Sequence, residues 1–172
     1  MARRFLGARG GAAAVEMALI AAPFLMLLFG IVELSMIFLI STTLENAMDN
    51  AARTIRTGQL QSGSSNTASA FKTTICNNFG WMQSDCASKL NVDVRTYSTF
   101  ASVTPPQVVQ NGAFNTSALS FNAGGPGDIV VVRAYYTWPL IAPGIDQALQ
   151  QLNGGSTLIV TTAAFRNEPY GG

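Results

Sequence analysis

The sequence predicts an α+β chain. A long N-terminal helix, membrane-spanning first and amphipathic afterwards, leads into a small domain with a short helix, an antiparallel sheet of about three strands and one disulfide. Three observations carry this. Residues 17–40 are almost wholly apolar, three later stretches have strand character, and two cysteines stand close together.

The helix comes first. Arg3, Arg4 and Arg9 precede the apolar run, whose one charge between Met17 and Ile40 is Glu33. About 20 apolar residues cross a bilayer core at about 1.5 Å per residue, so the run is long enough. A secretory signal has a shorter apolar region and closes on a small-x-small site; no clear site of that kind follows here. The next segment keeps a helical pattern, with Leu44, Ala47, Met48, Ala51 and Ile55 at three- and four-residue steps. Asp49 and Arg53 are spaced to pair on it. Gly58 suits a left-handed C-cap, so the helix is expected to end there. Pro23 either kinks the helix to functional effect or bends it harmlessly, and Gly30 permits close helix approach.

The leading arginines place the N-terminus in the cytoplasm and the rest of the chain outside it. That compartment is oxidising, so Cys76 and Cys86 are expected to bridge; two free buried thiols are the alternative. In the exported part, "GQLQSGSSNTAS" reads as a flexible linker or long turn. Phe71, Ile75 and Phe79 recur at four-residue steps, as in a short helix lying on a sheet. Leu90, Val92 and Val94 alternate with Asn91, Asp93 and Arg95, as in a half-buried strand. Residues 101–127 are loop-rich. Residues 128–138 and the stretch "STLIVTTAAFR" are further strands, with a short helix or irregular connection between them.

Composition argues against most catalytic classes. Histidine is absent, which removes the commonest general base and metal ligand. The net charge is +1, so no basic surface for nucleic acid is expected. "GGPG" lacks the Lys and Ser or Thr of a phosphate loop. Asp93, Asp128 and Asp146 are single and read as solvated or turn residues. Trp81, Tyr135, Tyr136 and Trp138 read as core or interface rather than a ligand platform. The sequon at Asn115 is given no role. No catalytic residue, cofactor or metal site is expected.

Glu16 and Glu33 remain, two carboxylates in an apolar helix where charge is costly. Glu16 is the fifth residue after Gly11. A basic leader, a glycine, small residues, a glutamate and a long apolar helix together resemble prepilin-type proteins. With "AARTIRTGQ", "ICNNFG" and its second cysteine Cys86, "GDIVVVRAYYTWPL" and "AAFRNEPY", the chain is similar to TadE-like pseudopilins of the tight-adherence (Flp) pilus. Met17, where Flp-type prepilins often carry tyrosine, and the chain's length point away from a major subunit.

The resemblance implies a minor pilin cut by a prepilin peptidase between Gly11 and Ala12. Residues 1–11 are then a leader, 12–57 a helix spanning the membrane over about 17–40, and 58–172 an exported pilin-like α+β domain. Glu16 would meet the new Ala12 amine of a neighbouring subunit. The implied partners are the peptidase, a second minor pilin, the major Flp pilin or the assembly platform, and the inner membrane, with adherence and biofilm formation as the outcome. Glu33 either pairs with a polar group on a partner helix or reaches water at the outer interface. An unprocessed, membrane-anchored envelope domain that binds a ligand is the competing reading.

Overall fold

The computed structural model describes residues 10–63, 66–142 and 146–170. Helix α1, Gly10–Arg56, is 47 residues long, and so about 70 Å. It runs on through Pro23 without a break. Its two halves differ. From Val15 to Val32 the large apolar side chains are exposed. From Glu33 onwards one face is covered, and Ile40, Leu44, Ala47, Met48, Ala51 and Ile55 are fully buried. The amphipathic stripe read from the sequence is thus the face that meets the domain. The helix stops at Gly58, whose φ of 76° is the left-handed conformation expected there.

Residues 59–62 of the polar stretch after α1 are ordered against the domain, where a flexible linker or long turn is expected. Gln59–Ser62 forms a helical turn, α2, with Leu60 in the core. The Gln61 amide explains this, donating to Ile55 O at 3.1 Å and Ala123 O at 3.0 Å. Helix α3, Ala68–Asn77, opens on Thr67, whose side chain accepts from Ala70 N. Phe71, Ile75 and Phe79 are all fully buried, as their spacing predicts. Between the cysteines the chain makes a 3₁₀ turn, Gly80–Met82, and then α4, Gln83–Lys89. Cys76 and Cys86 are joined in a disulfide.

Three strands form the antiparallel sheet in the order β1 (Leu90–Tyr97), β4 (Ile129–Pro139), β5 (Ser156–Arg166). The loop-rich stretch between β1 and β4 holds a two-residue hairpin, β2 (Val109–Gln110) and β3 (Ala113–Phe114). Among the described residues between β4 and β5 lies a short helix, α5, Asp146–Leu149. Register pairs Val92 with Ala134, and Trp138 with Thr157. Strand β4 is central and covered on both faces, which suits its unbroken β-branched and aromatic run. Val130, Val132, Ala134, Tyr136 and Trp138 share the main core with α1 and α3. Tyr135 belongs to a second cluster with Val108, Leu152 and Leu158.

That second cluster corrects the reading of Asp93. Its side chain does face away from Val92 and Val94, but Val108, Phe114, Ala118 and Leu119 pack on that side of the sheet, and Asp93 is fully buried. It accepts from Ser120 N at 2.8 Å and Arg95 Nε at 2.9 Å, with Arg133 Nη1 at 3.4 Å. Hydrogen bonding to Asp93 raises the Arg95 pKa above its ordinary value. Alternation places a side chain on a face; it cannot tell whether a distant loop covers that face. Asp128 is the turn residue expected, accepting from Gly125 N at 2.8 Å. Asn115 accepts from Ser117 N, a local turn contact. Asp146 stands at the start of α5.

Candidate functional site

The residues singled out in the sequence lie along α1. Gly11, Ala12 and Glu16 stand in its first turns. Arg3, Arg4 and Arg9 fall outside the described residues. Among the described residues, a side chain at Gly11 would meet nothing within 4 Å, so their packing does not require a glycine there. Glu16 is exposed and, among the described residues, has no ion-pair partner. Around and beyond it Val15, Met17, Leu19, Ile20 and Phe24 present an apolar surface to the outside. The segment Ala13–Arg56 is long and apolar enough to cross a membrane.

Glu33 is different. Only 5% of it is exposed, and it faces the chain's own domain. Oε1 accepts from Trp138 Nε1 at 2.9 Å. Oε2 accepts from the amides of Ile141 at 2.9 Å and Ala142 at 3.1 Å. Both oxygens are thus engaged by the end of β4 and the residues after it. Sequence reasoning weighed a partner helix against water for Glu33; the structure supplies intramolecular donors. Nothing in the local sequence pairs Glu33 with Trp138, Ile141 and Ala142. The available signal was weak: a lone tryptophan near a strand end, over a hundred residues away.

Trp138 is itself held from the other side. Lys89 Nζ lies 5.9 Å from its ring centroid and bonds Asp85 at 2.8 Å. Beside the carboxylate, Phe29, Val32, Met36, Trp138, Ile141 and Ala142 surround an apolar hollow of about 380 Å³. The four aromatics split as follows. Tyr135, Tyr136 and Trp138 are buried, and Trp81 is exposed. Tyr136 meets Phe79 edge-on at 5.2 Å.

At the far end of α1, two of the quoted motifs meet. "AARTIRTGQ" ends the helix, and "AAFRNEPY" returns to it from β5. Asn167 is buried and donates through Nδ2 to Ala123 O at 2.9 Å and Gly125 O at 3.0 Å. The Tyr170 ring lies against Gly58. The arrangement fixes the helix to the domain at both ends of their shared face. It holds and presents the helix.

Residues 11–53 match the model of the TadE-like protein family. The match covers Gly11, Glu16 and Glu33 and stops just short of the end of α1. No curated protein matches the chain, and no solved structure does. Over that part of its long helix the chain is similar to the TadE-like family, and the likeness supports a minor pilin associated with the Tad pilus. One apolar N-terminal helix is compatible with a single-pass membrane anchor in such a system.

Proposed function

We propose that this chain is a minor pilin of the Tad (Flp) system, processed between Gly11 and Ala12 and assembled through the exposed half of α1. The observation that carries the proposal is the family match, which begins at Gly11 itself and follows the helix. The open surroundings of Gly11 support it: no described neighbour packs against that position, so packing gives no reason for a glycine there. Recognition by a prepilin peptidase supplies one.

Cleavage leaves an amine on Ala12 and places Glu16 fifth in the mature chain. A charge at the centre of a membrane helix costs about 2.5–3.5 kcal/mol on insertion scales. An amine and a carboxylate from neighbouring subunits offset each other's desolvation where water is scarce. Glu16 is exposed and thus accessible to such a neighbour. On this reading the N-terminus faces the cytoplasm and the domain lies in the periplasm. The partners are a second minor pilin and the major Flp pilin or assembly platform, in support of adherence and biofilm formation. Phe38 and Leu39, exposed on the side of α1 away from the domain, add to the surface available to those partners.

N-terminal sequencing of the protein from native membranes, with and without its prepilin peptidase, tests the proposal. The expected result is a start at Ala12 that disappears when the peptidase is removed. An intact leader in both strains refutes processing and leaves an anchored envelope domain. Glu16→Ala separates the pairing from the cut: a variant that is cleaved normally and still joins the pilus complex at normal levels rules the pairing out.

A further inference from the structure

The position of Glu33 has a geometric consequence. The exposed apolar half of α1 ends at Val32, so the span is set at residues 12–32 rather than the 17–40 expected from the sequence, roughly 20 helical residues or about 30 Å, the thickness of a hydrocarbon core. Glu33 then stands at the outer boundary of the bilayer. Ile40 is fully buried in the domain core, so the span ends before it. The residues that close over Glu33 are therefore the part of the domain nearest the lipid.

We propose that residues 138–142 form a second membrane contact, with Ile141 entering the interfacial region of the outer leaflet beside α1. This rests on the single-pass anchoring of α1 proposed above. Ile141 is 73% exposed, an unusual setting for an isoleucine in a short loop. It lies beside Phe29 and Val32, which are also exposed, so loop and helix present one continuous apolar surface.

A loop entering an interface must hide its backbone donors, since lipid offers them no acceptor. Here that condition is met from within. The Ile141 and Ala142 amides and the Trp138 indole N–H all donate to the Glu33 carboxylate. One acidic side chain thus satisfies three donors around the exposed isoleucine. Trp138 has the amphipathic shape favoured at membrane interfaces. The same geometry disfavours a partner helix as the occupant of the hollow. Three donors already occupy most of the roughly four acceptor positions of the Glu33 carboxylate, so a polar side chain brought by another helix finds little left to bind. The remaining lining is apolar, and acyl chains ask for nothing else.

The test uses the full-length chain in phosphatidylethanolamine–phosphatidylglycerol vesicles containing doxyl-labelled lipid. The environment-sensitive NBD fluorophore is attached to single added cysteines, with the Cys76–Cys86 bridge kept oxidised. Ile141→Cys reports on the loop and Leu25→Cys on the apolar helix. Phe100→Cys is an exposed control next to the end of β1 that pairs with the start of β4. The proposal expects strong quenching at position 25, several-fold weaker but clear quenching with a blue shift at 141, and neither at 100. Quenching at 25 with position 141 indistinguishable from 100 overturns the loop contact alone, whatever protein covers the loop in a pilus. No quenching at 25 overturns the anchor, and the loop contact with it.

Discussion

Arg56 and Glu168, 112 residues apart, hold each other through both backbone and side chain. The Glu168 amide donates to Arg56 O at 2.8 Å, and Arg56 Nε donates to Glu168 Oε1 at 3.0 Å. The pair closes the chain's last segment over the last turn of α1, where helix carbonyls lack intrahelical partners. The side chains are about half exposed, so the ion pair itself adds little. The backbone bond and the seat of Tyr170 on Gly58 carry more weight.

Gly58→Ala is therefore expected to destabilise the domain by about 2 kcal/mol or more. A left-handed conformation costs a non-glycine residue about 1–2 kcal/mol, and the new methyl overlaps the Tyr170 ring. Tyr170→Ala in the same chain relieves the overlap but not the backbone cost. Thermal unfolding in detergent of both single variants and the double variant checks this. Additive effects would show that the ring and the glycine are not coupled.

Glu33→Ala leaves the Trp138 indole and two amides without their acceptor. A loss of about 3 kcal/mol is expected, with faster proteolysis after β4, because buried unpaired donors cost about 1–3 kcal/mol each and water recovers part of this. Glu33→Gln keeps one acceptor oxygen and should lose about 1 kcal/mol. Equal stability of both variants and the parent would mean that the contact does not seat the domain.

Asp93 is buried between two arginines, and Asp93→Ala strands their charge. Breaking such a pair from one side costs about 3–5 kcal/mol. Arg95 is partly exposed and can turn to water; Arg133 is buried and cannot. Arg95→Ala should accordingly cost much less than Asp93→Ala in denaturant unfolding. The reverse order would contradict this account.

Tyr136 gives a pH prediction. It is fully buried, and among the described residues its hydroxyl has no hydrogen-bond partner. Burial, with a smaller contribution from Asp85, pushes its pKa from 10.0 to about 12. The neutral phenol is favoured by the fold, so its contribution is complete below pH 10 and is lost as pH rises from about 10 to 12. At about 1.4 kcal/mol per unit the loss is on the order of 3 kcal/mol at most. Tyr136→Phe should be near neutral at pH 7 and should flatten the alkaline decline in unfolding free energy. An unchanged decline would assign it to other groups.

Much of this was legible in the chain because local patterns decide it. The burial of Leu44, Ala47, Met48, Ala51 and Ile55 follows from a period near 3.6. The end of α1 follows from one glycine, and β4 from its run of β-branched residues. The buried positions Phe71, Ile75 and Phe79, the first two on α3, could likewise be read from spacing alone. Asp93 escaped because its exposure depends on a loop that follows it by more than a dozen residues. Gln61 escaped because its acceptors Ala123 and Ile55 are brought together only when α1 and the loop before β4 are both in place.

The sequence by itself determined a long apolar-then-amphipathic helix, the three strands, the cysteine pair and two carboxylates in a setting that demands explanation. Each is a property of residues near one another along the chain. Only the tertiary structure decided what Glu33 meets, that Asp93 is buried, and that the chain's end locks the end of α1. Those outcomes depend on donors and covering groups supplied from distant parts of the chain. A buried carboxylate finds its partners through the fold, and no local periodicity records which loop will bring them.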